Sequence, residues 1–418
     1  MTDRDSNRRI DDLHKLLEIS RSMVAAAGLE SLLRVIIDRG MELLDAERAT
    51  LFIYDAEAGE LVSRIAEGLA DLRVPADRGI SGATIRTGRT INVPDVYADP
   101  RFNADIDCST GFRTRSLLSV PLFGHDGRLV GVLQIINKRV GAFDEYDVTL
   151  AETLGAQAGV AIQREELMAH FVQKQQMERA MKIARDIQRG LLPKAAPCLE
   201  SFDIAGFSLP ADQTGGDTYD FLELPDGRWM VSVADASGHG IGSALVIATT
   251  RAMLRAVALR GGEAGDILRT VNDLLVADLG EERFVTCFCG LLDPVKSVLA
   301  YASAGHGPLI FYRKSTDRFD LLPATSLPLG VGRAEDYGDV VRHGLSAGDL
   351  VMVSTDGFMD AANLDGQEFG SGRILDLLRG SMNLSADGMI WALHAAVSEF
   401  TSGAAQTDDL TAVVIRKV

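Results

Sequence analysis

RWMVSVADASGHGIGSALVIATTRAMLRAVALR, Arg228 to Arg260, is the stretch that decides how the second half of this chain is built. An apolar run rich in valine ends on Asp235, small residues turn the chain, and apolar positions then recur at helical spacing from Gly242 to Arg260. Working outward, FVTCFCGLLD from Phe284, VLAYASAG from Val298, LIFYR from Leu309, DLVMVSTDG from Asp349 and LTAVVIRK from Leu410 read as strands. Ala264 to Leu279 reads as a second helix. Strand pairs separated by two helices predict an α/β sandwich over residues 197–418.

Acidic corners recur along this half: GGDTYD around Asp217, VADASGHG around Asp235, STDGFMD around Asp356, and QTDDLTAVV around Asp408 and Asp409. Asp235 and Asp356 each end an apolar run, while Asp408 and Asp409 precede one, so sheet edges can deliver all of them to one cleft. One Asp after a strand is ordinary turn chemistry. Clustered carboxylates without a cation repel and take up protons, whereas hard divalent ions want such oxygen donors. Two ions would lower the pKa of a shared water and neutralise charge on a transferred phosphoryl group, with no side-chain nucleophile required.

In order, ARDIQRGLLP (Ala184 to Pro193), GGDTYD, ADASGHGIGSAL, SAGHGP (Ser303 to Pro308), LPLG (Leu327 to Gly330), STDGFMDA and TDDLT resemble the PPM family of metal-dependent serine/threonine phosphatases. Within it they look like the bacterial branch that regulates sigma factors and sporulation. The resemblance implies two Mn or Mg ions, with Asp235 bridging both and the Ala236 carbonyl helping one. It implies Asp356 and Asp408 on the other ion, and Asp217 on the first, directly or through water. Asp235 and Asp356 are then the catalytic carboxylates. His239 is either the general acid for the leaving oxygen or a residue that orders the turn. Thr218 and Gly307 depart from the family pattern after GGD and AGH, and Arg185 is the candidate phosphate-gripping arginine.

Before this half, Asp144 to Leu192 reads as one long helix or two abutting ones, stopped by Pro193. Met177, Met181, Ala184, Ile187 and Leu191 step by three and four, which suits either a seam with a second copy or a face packed on its own domain. Two helices, broken at Gly28, open the chain over Asp11 to Arg39, and a sheet follows to about Asn137.

LDAERATLFIYD, VPADRGISGATIRTGRTINVPD, DCSTGFRTRSLLSVPL and GVLQIINKRVGAFDEYD resemble a GAF domain of the cyclic-nucleotide phosphodiesterase type. Its specific marks are TGFRTRS and Asn137-Lys138 with Phe143 and Asp147. The resemblance implies cyclic AMP or cyclic GMP in a pocket lined by Thr50, Glu67, Ser81, Thr110, Thr114 and Gln134. Ala66 and Val148 depart from the pattern at a base-stacking position and at the end of the signature. A pigment on Cys108 lacks the histidine usual beside it.

The expected architecture is thus α+β: a GAF sheet domain (1–165), a long helical linker with a dimer seam (166–196), and a PPM sandwich (197–418). The formal charge of −17 argues against a general nucleic-acid partner. No run approaches ~20 uncharged apolar residues and the N-terminus is highly charged, so a cytoplasmic protein without a membrane span is expected. Four scattered cysteines argue against a disulfide framework, and Cys287 and Cys289 read as core thiols. The expected function is phosphoserine/phosphothreonine hydrolysis on a signalling partner, a STAS-type anti-sigma-factor antagonist by resemblance, under control of a GAF ligand. The rivals are a cyclic-nucleotide-binding regulator or a scaffold with a vestigial phosphatase half, and a nucleotide phosphodiesterase, against which the sequence offers no H-x-x-x-H metal motif.

Overall fold

A computed structural model describes residues 3–63, 72–104, 107, 111–279, 283–333, 336–338 and 340–418, with the side chains of 3–9 and 72 excepted. The chain divides into two compact units, Met1–Gln176 and Met177–Val418.

In the first unit, α1 (Asp3–Ala25) and α2 (Leu29–Leu44) precede β1 (Ala46–Asp55), β2 (Glu60–Ser63), β3 (Leu72–Pro75), α3 (Gly79–Thr87), β4 (Ile91–Val93), β5 (Leu117–Phe123) and β6 (Leu129–Lys138). The first two helices extend beyond the expected 11–39 at both ends: the charged residues before Asp11 do not oppose helix formation, and Leu43 and Leu44 continue α2 into the core. The strands form one antiparallel sheet in the order β3-β2-β1-β6-β5-β4. One face is covered by Leu32, Leu33 and Ile36 of α2 and by Leu150, Leu154 and Ile162 of α4 (Glu145–Leu191), all buried. The polar QKQQ at Gln173 to Gln176 does not interrupt α4, which is one continuous helix of 47 residues.

The Asn137-Lys138…Phe143…Asp147 signature fixes how α4 begins. Asn137 adopts a left-handed φ of 58° and its Oδ1 accepts from the Arg115 amide at 2.6 Å, while its Nδ2 donates to Glu47 at 2.8 Å. The Lys138 ammonium pairs with the buried Asp147 carboxylate. That carboxylate also accepts from the Asp144 amide at 2.9 Å, and Asp144 accepts from the Asp147 amide at 2.9 Å, so the helix start is capped in both directions.

The second unit packs two five-stranded antiparallel sheets face to face. Its strands are β7 (Phe202–Leu209), β8 (Asp217–Glu223), β9 (Trp229–Ala236), β10 (Val285–Asp293), β11 (Val298–Ala304), β12 (Leu309–Arg313), β13 (Arg318–Leu322), β14 (Val341–Gly344), β15 (Leu350–Ser354) and β16 (Leu410–Lys417). They run β14-β11-β10-β9-β8 in one sheet and β13-β12-β15-β16-β7 in the other. Strand alternation assigns the faces: Val231 and Val233 of β9 meet Phe288, Phe311, Val351 and Val413 between the sheets, while Met230 and Ala234 face outward. The outward face packs on α5 (Ile241–Ala258) and α6 (Ala264–Asp278). The other sheet is covered by α8 (Gly370–Gly380) and α9 (Ala386–Thr401), which follow the single turn α7 (Gly357–Asp360). The fold is the expected sandwich flanked by helices.

Cys287 and Cys289 lie on one face of β10 in the α5/α6 core, and burial pushes the Cys289 thiol up to about 12. By length and composition α5 is apolar enough to cross a membrane. It packs on β8 and β9, and its Arg251 and Arg255 reach the buried Asp220 carboxylate at 3.2 and 3.1 Å.

Candidate active site

The sandwich brings the acidic corners together from both sheets. In the first sheet Asp217 is the register partner of Asp235, one opening β8 and the other near the end of β9. In the second, β15 and β16 pair Ser354 with Ala412, so Asp356 just after one strand and Asp408 just before the other share an edge. The sheets join at Thr355, whose Oγ1 donates to the Asp217 carboxylate at 2.8 Å. Its backbone amide donates to the Thr411 carbonyl at 3.0 Å.

Asp217 is buried, Asp235 half-buried, and Asp356 and Asp408 exposed. Burial, and then the Asp235 and Asp409 charges, push the Asp217 carboxyl well above the usual carboxylate range. Burial, with the Asp356, Asp408 and Asp409 carboxylates behind it, pushes Asp235 up to about 7. Asp408 is raised by burial, then by Asp356 and Asp409, partly offset by the Asp409 amide. Asp360 is raised by burial and then by Asp356 and Glu368. This mutual perturbation marks a carboxylate cluster that lacks a compensating cationic side chain among the described residues.

Backbone geometry lets the cluster close up. A Cβ on Gly215 would lie 2.3 Å from the Asp409 carboxylate, and one on Gly216 would lie 2.9 Å from the Ala236 carbonyl oxygen. The two glycines of GGD are therefore required by close approach. Asp409 serves as a brace, accepting from the amides of Ala211 at 2.8 Å and Asp217 at 3.2 Å. Asp408 accepts from the Asp409 amide at 2.8 Å and keeps its other oxygen free of that bond.

Among the described residues no three His, Cys, Asp or Glu side chains are grouped closely enough to hold an ion by themselves. The cluster is open. Its donors are all oxygens, the donor class that hard Mg and Mn ions prefer while keeping several waters, so the residues fit such ions.

His239 is exposed in the Ser237–Gly240 turn. His306 is buried and sits behind the site: the hydroxyl of Thr286, the register partner of Asp235, and His306 Nδ1 share a hydrogen bond of 2.9 Å, and burial pushes the imidazole down to about 4.

Sequence reasoning missed three supporting roles. Those of Thr355 and of Asp409, named only as part of an acidic corner, are two of them. The third is that of Gln188 near the end of α4, whose amide clasps Gly215 from both sides: Nε2 donates to its carbonyl at 2.6 Å and Oε1 accepts from its amide at 3.0 Å. The signal was present, since Gln188 lies in ARDIQRGLLP and Gly215 in GGD, but no spacing rule joins segments 27 residues apart.

In the first unit a cavity of about 470 Å³ is lined by Thr50, Ser81, Thr114 and Gln134, four of the six residues expected there. Glu67 and Thr110 lie outside the described residues, as do Ala66 and Cys108. Gln134 Nε2 donates to Ser81 Oγ at 2.8 Å. Thr114 donates its amide and hydroxyl to the Asp107 carboxylate, each at 2.7 Å. Asp107 and Phe112, with the Arg48 guanidinium 4.3 Å from the Phe112 ring centre, are lining residues that the sequence reading did not select.

Comparison with known proteins agrees with this division. Residues 225–418 match the family "Stage II sporulation protein E (SpoIIE)", and residues 28–162 match "GAF domain". The chain is 28% identical over 208 residues to "Phosphoserine phosphatase RsbU" of Bacillus subtilis, covering 50% of this chain and 61% of that protein. It is 29% identical over 167 residues to "Probable 3',5'-cyclic phosphodiesterase pde-5" of Caenorhabditis elegans, covering 36% of this chain and 23% of that one. The chain thus spans less than two thirds of either relative. Among solved structures, the "SiaA-PP2C domain of Pseudomonas aeruginosa" superposes with a TM-score of 0.53 at 25% identity, over 59% of this chain and 98% of that one. Residues 28–162 are thus a GAF domain and residues 225–418 a SpoIIE-type domain of the PP2C phosphatase fold.

Proposed function

We propose that this protein is a metal-dependent protein serine/threonine phosphatase, acting in the cytoplasm and controlled by a ligand of its GAF domain. The observation that carries this is the convergence of Asp217, Asp235, Asp356 and Asp408 from two sheets without a cationic partner among the described side chains. In this reading Asp235 and the Ala236 carbonyl would hold the first of two Mn or Mg ions with Asp217, and Asp235, Asp356 and Asp408 would hold the second. Bound ions supply a hydroxide at neutral pH and charge neutralisation for in-line phosphoryl transfer.

The chain's own residues do the rest. Thr355 fixes which Asp217 oxygen faces the cleft, Asp409 holds the two segments in register, and Gly215 and Gly216 let the backbone close on the carboxylates. His239, exposed at the lip, is the candidate proton donor to the leaving serine or threonine oxygen. The relative named a phosphoserine phosphatase supports a phosphoprotein substrate, and we propose a STAS-type anti-sigma-factor antagonist.

For regulation we propose cyclic AMP or cyclic GMP in the cavity beside Thr50, Ser81, Thr114 and Gln134, with Glu67 and Thr110 completing the set. The working division stays 1–165, 166–196 and 197–418. Met177 and Ile187 of α4 are exposed apolar residues, as are Leu167 and Phe171, which supports a homodimer seam along this helix. Because Gln188 of the same helix clasps Gly215 beside Asp217, a ligand that prefers one arrangement of α4 shifts the population of the competent cleft by its differential affinity. Calorimetric titration of the full chain with each nucleotide, paired with Mn-dependent phosphatase assays, tests this. Nucleotide binding with no hydrolysis in any ligand state would favour the regulator with a vestigial phosphatase half.

A further inference from the structure

We infer that the exposed apolar lip formed by Ile241, Leu245, Phe284 and Val331, with Arg283 among them, is where the phosphoprotein substrate lays the residues flanking its phosphoserine. This rests on the phosphatase reading and extends it to a docking surface. Ile241 and Leu245 stand one turn apart on α5, 40% and 65% exposed, Phe284 is 41% exposed and Val331 56%.

Backbone contacts join them into one patch. The Ser237 amide donates to the Phe284 carbonyl at 2.9 Å, and the Phe284 amide donates to Ser237 Oγ at 3.1 Å. A Cβ on Gly330, the residue before Val331, would lie 3.6 Å from the Phe284 Cα. The Arg283 guanidinium lies against the start of α5, where a Cβ on Gly242 would meet both Nη atoms at 2.7 Å.

Continuity with the carboxylate cluster identifies the occupant. The Ser237–Gly240 turn leads directly from Asp235 and Ala236 to Ile241, and β10 pairs Val285 with Ala236 one residue beyond Phe284. A phosphoserine side chain is short, reaching only about two residue rises of extended chain. A serine phosphate engaged by the cluster therefore draws its own main chain across this lip. Apolar flanking residues meet Leu245 and Phe284, and the guanidinium offers charge to the phosphate or to an acidic neighbour.

The test uses the full-length protein with Mn and three probes: p-nitrophenyl phosphate, a phosphoserine heptapeptide with leucines on both sides of the phosphoserine, and the same peptide with glycines there. Wild type is expected to show kcat/KM roughly fivefold or more higher for the leucine peptide. In Leu245→Ser and Phe284→Ser the leucine-to-glycine ratio falls toward one. Val295→Ser, at the opposite end of β10, keeps the wild-type ratio and shows that loss of surface bulk alone is not responsible. Equal rates on the two peptides in wild type would overturn the docking inference while leaving the phosphatase reading intact. So would a change in sedimentation of Leu245→Ser with an unchanged peptide ratio, which would assign the lip to a second copy. Absence of hydrolysis of all three probes overturns the phosphatase reading, and this inference with it.

Discussion

Replacing Gln188 by alanine removes both hydrogen bonds that hold Gly215, the 2.6 Å bond to its carbonyl and the 3.0 Å bond from its amide. Each side-chain to backbone bond contributes about 1 kcal/mol net, so the loop carrying Asp217 loses about 2 kcal/mol of local order. If ion binding requires that order, the apparent Mn dissociation constant rises roughly 30-fold, because about 1.4 kcal/mol is a factor of ten. Gln188→Glu keeps an acceptor for the Gly215 amide but sets a carboxylate against its carbonyl, so it should weaken ion binding as well. Calorimetric Mn titration reads the affinity, and hydrogen exchange at the Gly215 amide reads the loop directly. An unchanged Mn affinity together with unchanged Gly215 exchange would refute the idea that the end of α4 holds the first acidic corner in place.

Other expectations follow from the same geometry. Burial holds His306 down to about 4 against an ordinary 6.5, so the unfolded chain binds a proton there that the folded chain refuses. Stability from this group is complete above pH 6.5 and is lost as pH falls toward 4, about 3 kcal/mol in all. Urea unfolding of wild type and His306→Asn at pH 4.5 and 7 should show that the acid-side loss shrinks in the variant, and an equal loss in both would contradict it. Lys138→Met leaves the buried Asp147 carboxylate without its ion pair, and the first unit should lose about 3 to 5 kcal/mol, seen as a lower first melting transition. Adding Asp147→Asn should recover part of that loss.

Much of the fold was legible because strand alternation and helical spacing are local. Val231 and Val233 against Met230 and Ala234 is a period of two within one short segment, and α5 announces itself right after Gly240. The acidic corners were legible as a set because each stands at a strand boundary. Their supports were not. Thr355 reaches Asp217 across 138 residues and Asp409 reaches the Asp217 amide across 192, contacts that exist only once two sheets have packed. Asp220, in the same GGDTYD motif as Asp217, points to Arg251 and Arg255 on α5 and is structural, although the motif alone does not separate the two aspartates. The GAF signature was readable as a motif, but its physical role became visible only with the capping exchange between Asp144 and Asp147.

The most direct test of the central claim is hydrolysis of a phosphoserine peptide by the purified full-length protein with Mn, before and after chelation, alongside Asp235→Asn and Asp356→Asn. The account predicts turnover that chelation abolishes, that added Mn restores, and that falls at least about a hundredfold in both variants, since loss of one charge-stabilising group costs about 10²-fold or more in rate. Turnover that survives chelation, or that persists at wild-type level in either variant, would contradict a metal centre built on these carboxylates.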